Sequence, residues 1–237
     1  MTYIDLTLPT PAENLAYDES LLDFCECAGG PEILRLWEPT EYFVVVGYAN
    51  KVDLEVNREA CDANGIPIFR RCSGGGTVVQ GRGCLNFSVI LNFSENEALQ
   101  TITRANQFIM GRHRELFNEL LGNGVSVEGH TDLALNGLKF SGNAQRRKKN
   151  FLLFHGTFLL NFDIPLIERL LRMPSQQPEY RHNRPHERFL INVEMQTENL
   201  KYRLQNSWKA FDGRLDLPDV SKELVGKYQS EEWRLKF

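Results

Sequence analysis

The sequence predicts an α+β fold, with a mixed or largely antiparallel β-sheet flanked by helices. Three observations predict it. Strand-like apolar runs come in groups, as at residues 33–37 with 42–46 and 125–127 with 132–135. Helical patterns fall between those groups rather than after every strand, which argues against a doubly wound sheet. Asn136-Gly137 between two short apolar runs is a hairpin signal, because such a turn needs two positive-φ positions.

The elements follow in order. Pro11 suits a first helical turn, and Ala16, Leu21, Leu22 and Phe24 give an apolar face, so residues 11–28 read as a helix stopped by Gly29-Gly30-Pro31. Strands are expected at 33–37 and 42–46, and a helix at 53–64, ended by Asn64-Gly65. A strand at 66–70 and another at 85–93 follow, the second with alternation at Phe87, Val89 and Leu91. Residues 98–121 read as a long amphipathic helix closed by Gly122-Asn123-Gly124. Short strands are expected at 125–127, 132–135 and 139–140, and a longer apolar one at 151–160. Residues 165–172 look helical, 174–186 read as an ordered surface loop rich in proline and arginine, and 197–237 as helix, loop, helix.

At 237 residues the chain suits one domain, read here as 1–237 with a core at about 11–190 and a helical tail at about 197–237. Hydrophobic residues make up 42% and charged residues 24%, a globular composition. The net charge of −4 argues against a nonspecific nucleic-acid binder, which needs a large basic surface. No apolar run reaches the roughly 20 residues that span a bilayer. Residues 1–5 lack the basic and apolar regions of a secretion signal, so no membrane partner and a cytoplasmic location are the expectation. The cysteines are Cys25, Cys27, Cys61, Cys72 and Cys84, an odd number that fits reduced thiols better than a disulfide framework. Cys25 and Cys27 have no second pair to complete a zinc site.

Residues 70–79 carry the strongest chemical signal: Arg70-Arg71-Cys72-Ser73-Gly74-Gly75-Gly76-Thr77-Val78-Val79. Consecutive glycines let the backbone approach a ligand and turn several N–H groups toward it. Two adjacent guanidinium groups add permanent positive charge, so the segment reads as a site for a phosphate or carboxylate, the plain alternative being a glycine-rich turn with two solvated arginines. A second segment surrounds Lys139, which follows the Asn136-Gly137 turn and precedes Ser141-Gly142-Asn143-Ala144. Small neighbours leave room for a ligand, and a lysine there could hold a carboxylate and then a phosphate. An exposed hairpin lysine is the plain alternative. The third element is His155-Gly156-Thr157 within an apolar strand, where a histidine is commonly just a satisfied core residue.

Taken in order, these segments resemble the lipoate–protein ligase family, also called the biotin/lipoate A/B protein ligase family. Asn14-Leu15-Ala16 with Asp18-Glu19 is similar to its opening helix, and Glu32-Ile33-Leu34-Arg35 with Trp37 to its first strand. Arg70-Arg71, Ser73-Gly74-Gly75-Gly76 and Val78 are similar to its ligand loop. Asp132-Leu133, Asn136-Gly137, Lys139, Ser141-Gly142 and Ala144-Gln145 match its lysine segment, and His155-Gly156-Thr157 with Leu159-Leu160 its next strand. The resemblance spans roughly residues 11–190 and implies a catalytic domain related to class II tRNA synthetases and biotin ligases. It implies two half-reactions: lipoate and ATP, with Mg²⁺, give lipoyl-AMP, and a lysine of a carrier protein then takes the acyl group. It implies that Arg71, Ser73, Gly75, Gly76, Thr77, Val78, Val79, Lys139 and His155 contact ATP or lipoyl-AMP. Lys139 would bridge the lipoate carboxylate and the adenylate phosphate as the catalytic residue, and Asp132 would be a Mg²⁺ contact. Val78 and Val79 would help wall a dry tunnel for the acyl arm, where each buried CH₂ is worth ~0.8 kcal/mol. The implied partner is an apo lipoyl domain or a GcvH-like carrier, with no nucleic acid.

Two departures stand out. Cys72 sits where the loop often carries a third basic residue, and His130-Thr131-Asp132 replaces a more common Arg-Asn-Asp pattern. Many relatives also carry a C-terminal accessory domain for which there is no room after about residue 200, so a separate accessory subunit is an expectation. The rival within the fold is an ATP-independent octanoyl- or lipoyltransferase, which needs a thiol nucleophile at or after the lysine segment. The last cysteine is Cys84, so ligation is the favoured reading, with a role for Cys72 left open. Biotin ligases carry a Gly-Arg-Gly-Arg-Arg-Gly loop, of which Gly81-Arg82-Gly83 is a fragment. A non-catalytic carrier-binding protein is the remaining alternative. Arg181 and Arg184, beside His182 and His186, are expected to form a basic loop that closes over nucleotide or meets an acidic carrier, more readily than a metal pair.

Overall fold

The structure is a computed structural model and describes residues 1–94, 96–213 and 217–237. Its centre is an eight-stranded mixed sheet in the order β11-β1-β2-β6-β10-β9-β8-β7. These strands are β1 (Thr2–Asp5), β2 (Ile33–Trp37), β6 (Cys84–Asn92), β7 (Val125–Glu128), β8 (Asp132–Leu135), β9 (Leu138–Arg147), β10 (Phe151–Leu159) and β11 (Phe211–Asp212). The pairs β11–β1 and β1–β2 are parallel and the others antiparallel. A three-stranded sheet, β4 (Ile68–Arg70), β3 (Phe43–Val46) and β5 (Val78–Gln80), stands beside it.

Alternation along the central strands sorts side chains to two faces. Leu34, Leu36, Phe87, Val89, Leu152, Phe154 and Phe158 meet α4 (Ile102–Leu121) through Ile109, Met110 and Phe117. On the opposite face Ile33, Ile90, Phe151 and Leu153 meet Leu21, Leu22 and Cys25 of α1 (Pro11–Ala28). Thr10 and Glu13 form a capping box at the start of α1, and Gly29 ends it in the left-handed region at φ 59°.

Several boundaries differ from expectation. Residues 53–64 form two short helices, α2 (Val52–Glu55) and α3 (Arg58–Ala63). The break at Val56 serves a bridge to Leu171, and Asn57 then caps Ala60 N–H at 3.3 Å. The long helix starts at Ile102, because Thr101 caps it by accepting from Arg104 N–H. The hairpin strand after Asn136-Gly137 extends to Arg147, where register with β10 replaces the local apolar pattern as its support. Asn136 at φ 51° and Gly137 at φ 78° make the expected turn. Downstream lie α5 (Ile164–Leu170), α6 (His186–Phe189) and α7 (Thr197–Ser207). The tail ends in a helix pair, α8 (Lys222–Gln229) and α9 (Glu231–Arg234), split at Ser230; residues 214–216 lie outside the described residues. Among the described residues no helix is long and apolar enough to cross a membrane.

Candidate functional site

Register aligns three polar residues across the α1 face of the central sheet. Arg35 on β2 pairs with Ser88 on β6, and Ser88 pairs with His155 on β10. A buried charge in an apolar strand needs a partner, and α1 supplies it. Asp18 Oδ1 holds Arg35 at 2.6 Å, and Asp18 Oδ2 accepts from Ser88 Oγ at 2.7 Å. Burial alone would raise the Asp18 carboxyl, but Arg35, His155 and Ser88 outweigh it and hold it below its usual range. Asp18 Oδ2 also faces His155 Nδ1 at 3.6 Å, beyond hydrogen-bond length. The other ring nitrogen, Nε2, lies 2.6 Å from Ser73 Oγ. Arg71 Nε donates to that same oxygen at 3.1 Å. With its hydrogen on Nδ1, facing Asp18, the His155 ring accepts at Nε2 from the Ser73 hydroxyl while that oxygen accepts from Arg71.

The glycine loop is built from inside. Arg71 donates to Gly74 O at 2.6 Å and to Gly76 O at 2.7 Å, and burial pushes its guanidinium down to about 10. Gly75 sits at φ 87°, and its carbonyl lies 2.1 Å from where a Cβ on Gly47 would be, so the strand end beneath the loop must be glycine. Arg70 is fully buried and donates to the carbonyls of Gly47, Tyr48 and Asn50 and to Trp233 O. Neither arginine is a solvated side chain: Arg70 Nε and Nη1 donate to backbone carbonyls, and Arg71 donates to backbone carbonyls and to Ser73 Oγ, as a buried guanidinium requires local partners. What the loop does expose is Gly74, Gly75 and Gly76. Thr77 Oγ1 accepts from Asn50 Nδ2 at 3.3 Å. Val79 is buried among Val44, Ile68, Cys84 and Leu159, inside a closed core cluster, while Val78 is half-buried against Val45 and Phe69.

The loop and the lysine segment meet on β9. A Cβ at Gly75 would stand 3.5 Å from Ala144 Cβ. A Cβ at Gly142 would stand 2.9 Å from Lys139 Nζ, so the amine folds back over Gly142 in space a larger residue would take. Lys139 Nζ is paired with Asp132 Oδ1 at 2.9 Å, and Tyr180 OH donates to Asp132 Oδ2 at 2.8 Å. Asn143 fixes the neighbouring turn by donating to Thr131 O. Asp132 offers a single carboxylate with both oxygens engaged, and among the described residues no three His, Cys, Asp or Glu converge. The protein alone does not make a Mg²⁺ site here, although Mg²⁺ is commonly held by one carboxylate plus substrate phosphates.

Arg181 and Arg184 are not a basic surface. Each donates its Nε–H to the other's carbonyl at 3.0 Å, and both lie over the Phe189 ring. His186 meets Glu168, with its backbone N–H 2.7 Å from that carboxylate, whereas His182 is exposed. Cys72 lies in the α1-side core with Tyr17, Leu21 and Ile90, where burial pushes its thiol up to about 12. Cys25 and Cys84 are likewise buried with thiols raised to about 12, and Cys61 to about 11.

The Lipoyl protein ligase A/B catalytic domain model matches residues 10–203. The chain belongs to that family. It is similar to octanoyltransferase LipM of Geobacillus kaustophilus, 26% identical over 99% of this chain and 97% of the relative. It is similar to lipoate-protein ligase A subunit 1 of Thermoplasma acidophilum, 28% identical over 73% of this chain and 68% of the relative. Among solved structures, lipoate-protein ligase A bound with ATP superposes with a TM-score of 0.81 at 22% identity, over 99% of each chain. That likeness establishes the fold, a mixed sheet flanked by helices of the lipoate-ligase type. The family was legible in the ordered motifs. Asp18, Arg35 and Ser88 were not foreseen at the site, although a charge in an apolar strand was their signal, and Tyr180 had none.

Proposed function

We propose that this family member is an ATP-dependent lipoate–protein ligase. One observation carries the choice over a thiol acyltransferase. Beyond Cys84 the chain has no cysteine, and the loop thiol Cys72 is packed against α1 with its thiolate disfavoured. A thioester mechanism has no nucleophile beside Lys139, whereas adenylation needs none.

In this reading backbone N–H groups of the exposed residues Gly74, Gly75 and Gly76 meet the nucleotide phosphates, and Arg71 holds the loop in shape. Lys139 leaves Asp132 to bridge the lipoate carboxylate and the α-phosphate, offsetting the repulsion between two anions. A carboxylate oxygen bonds to the α-phosphorus as pyrophosphate departs. The carrier lysine amine then attacks the acyl carbon and AMP leaves. Lys139 polarises the carbonyl in that second step. Mg²⁺, if brought by ATP, would screen phosphate charge, with Asp132 the carboxylate at hand. The ATP-bound neighbour supports nucleotide as a substrate class, and the T. acidophilum relative, named as subunit 1, supports a separate accessory subunit. We read residues 1–237 as a single catalytic domain acting on an apo lipoyl domain or GcvH-like carrier in the cytoplasm.

A second reading has its own support: the octanoyltransferase relative aligns over nearly its whole length. The test is a carrier panel incubated with ATP and lipoate. A lipoyl mass increment on one carrier lysine, absent with Lys139→Ala, is the expected result. Unchanged transfer by Lys139→Ala would overturn the assignment.

A further inference from the structure

The segment after α5 is seated on the hairpin that carries Lys139. Besides Tyr180 on Asp132, Arg184 donates to Gly137 O at 3.1 Å, inside the hairpin turn, and to Tyr180 O at 2.8 Å. Ile191 N–H donates to Lys139 O at 2.9 Å. Beneath Tyr180 the chain passes Gly129 at φ 56°, where a Cβ would stand 3.2 Å from Pro178. The Tyr180 ring packs on Phe189 at 5.1 Å between centroids. Burial and the Asp132 carboxylate both push the phenol pKa up, so Tyr180 stays the donor. The Lys139 and Asp132 side chains are 24% and 14% exposed, so their attraction is only partly screened by water.

Asp132 thus has two claims on it and makes one claim on Lys139. An anionic substrate must take Lys139 from Asp132, and must do so beside a carboxylate that repels it. A phenol held on the far oxygen shares the Asp132 charge and keeps it turned away as Lys139 leaves. We propose that Tyr180 is a positioning residue, acting through Asp132 to set how readily Lys139 is released to a carboxylate substrate. This rests on reading Lys139 as the group that meets that carboxylate.

Two measurements test it. The first needs no activity: acetylation of Lys139 by an N-hydroxysuccinimide ester, followed by peptide mass spectrometry on the intact chain. Tyr180→Phe should slow labelling severalfold, because Asp132 is left with only Lys139, and Asp132→Asn should speed it. The second is steady-state kinetics with lipoate. Tyr180→Phe should raise KM for lipoate about fivefold, a change of about 1 kcal/mol, with kcat changed less than about twofold. In the Asp132→Asn background the same substitution should change neither value, since a residue acting through another shows strong coupling. Equal effects of Tyr180→Phe in both backgrounds, or labelling of Lys139 indifferent to both substitutions, overturn the proposal. If labelling responds as expected while no variant or wild type uses lipoate, the positioning stands and the ligase reading falls.

Discussion

Ser73 Oγ and His155 Nε2 lie 2.6 Å apart although 82 positions separate them in the chain. The contact ties the loop after β4 to the middle of the central sheet, and Asp18 stands behind the ring. Removing the imidazole leaves Ser73 with only Arg71, and leaves Asp18 Oδ2 with only Ser88. His155→Ala should lower kcat/KM for adenylate formation about tenfold or more, the 1–2 kcal/mol expected for a lost buried hydrogen bond. His155→Gln, which keeps an acceptor near Ser73, should recover part of it. Stopped-flow or pyrophosphate-release assays measure both, and wild-type rates in His155→Ala would refute the role.

How much of this was legible follows from period and distance. The pattern in β6 and β10 gave their apolar faces directly, and Asn136-Gly137 gave the hairpin, because both are local. The direction of the Arg70 and Arg71 side chains was not legible. Adjacent arginines before glycines look solvated until Trp233, more than 160 positions away, is seen to close over Arg70. Tyr180 over Asp132 is the same case: the pairing depends on where a loop after α5 comes to rest. Cys72 was readable as a small loop residue but not as a core one.

The tail clasp carries a prediction of its own. Trp233 Nε1 donates to Arg70 O at 2.8 Å, and Trp233 O accepts from Arg70 Nε at 3.1 Å. Trp233→Ala strips a donor from the base of the ligand loop and opens the α8–α9 packing. It should cost about 2 kcal/mol in urea unfolding, the usual scale for an orphaned buried group with lost packing. It should also weaken binding of a lipoyl-AMP analogue by calorimetry. Unaltered affinity would show that the tail does not shape the loop.

The thiols should be dispensable. Cys27 is exposed, whereas Cys25, Cys61, Cys72 and Cys84 are buried. Iodoacetamide should label Cys27 first and leave ligation intact. Cys72→Ala should keep activity within about twofold, at a stability cost of roughly 1 kcal/mol typical of point changes. Loss of acyl transfer in Cys72→Ala, with the fold intact by circular dichroism, would revive the thioester mechanism.

Stability should fall on mild acidification through His113. It is fully buried on α4, accepts from Trp208 Nε1 at 3.0 Å, and burial pushes its imidazole down to about 3. Between about 6.5, its ordinary value, and 3 the unfolded chain binds a proton that the folded chain refuses. Unfolding is therefore favoured as pH falls, by up to about 1.4 kcal/mol per unit from this group. Denaturant midpoints at pH 7 and pH 5 should differ more for wild type than for His113→Gln. Parallel changes in the two proteins would remove His113 from the account.

The central claim, that Lys139 and the glycine loop activate a free carboxylate with ATP, is tested most directly by lipoate-dependent ATP–pyrophosphate exchange with no carrier present. Exchange should require lipoate, be lost with Lys139→Ala and survive Cys72→Ala. No exchange, together with ATP-free transfer to a carrier from an octanoyl thioester, would contradict it.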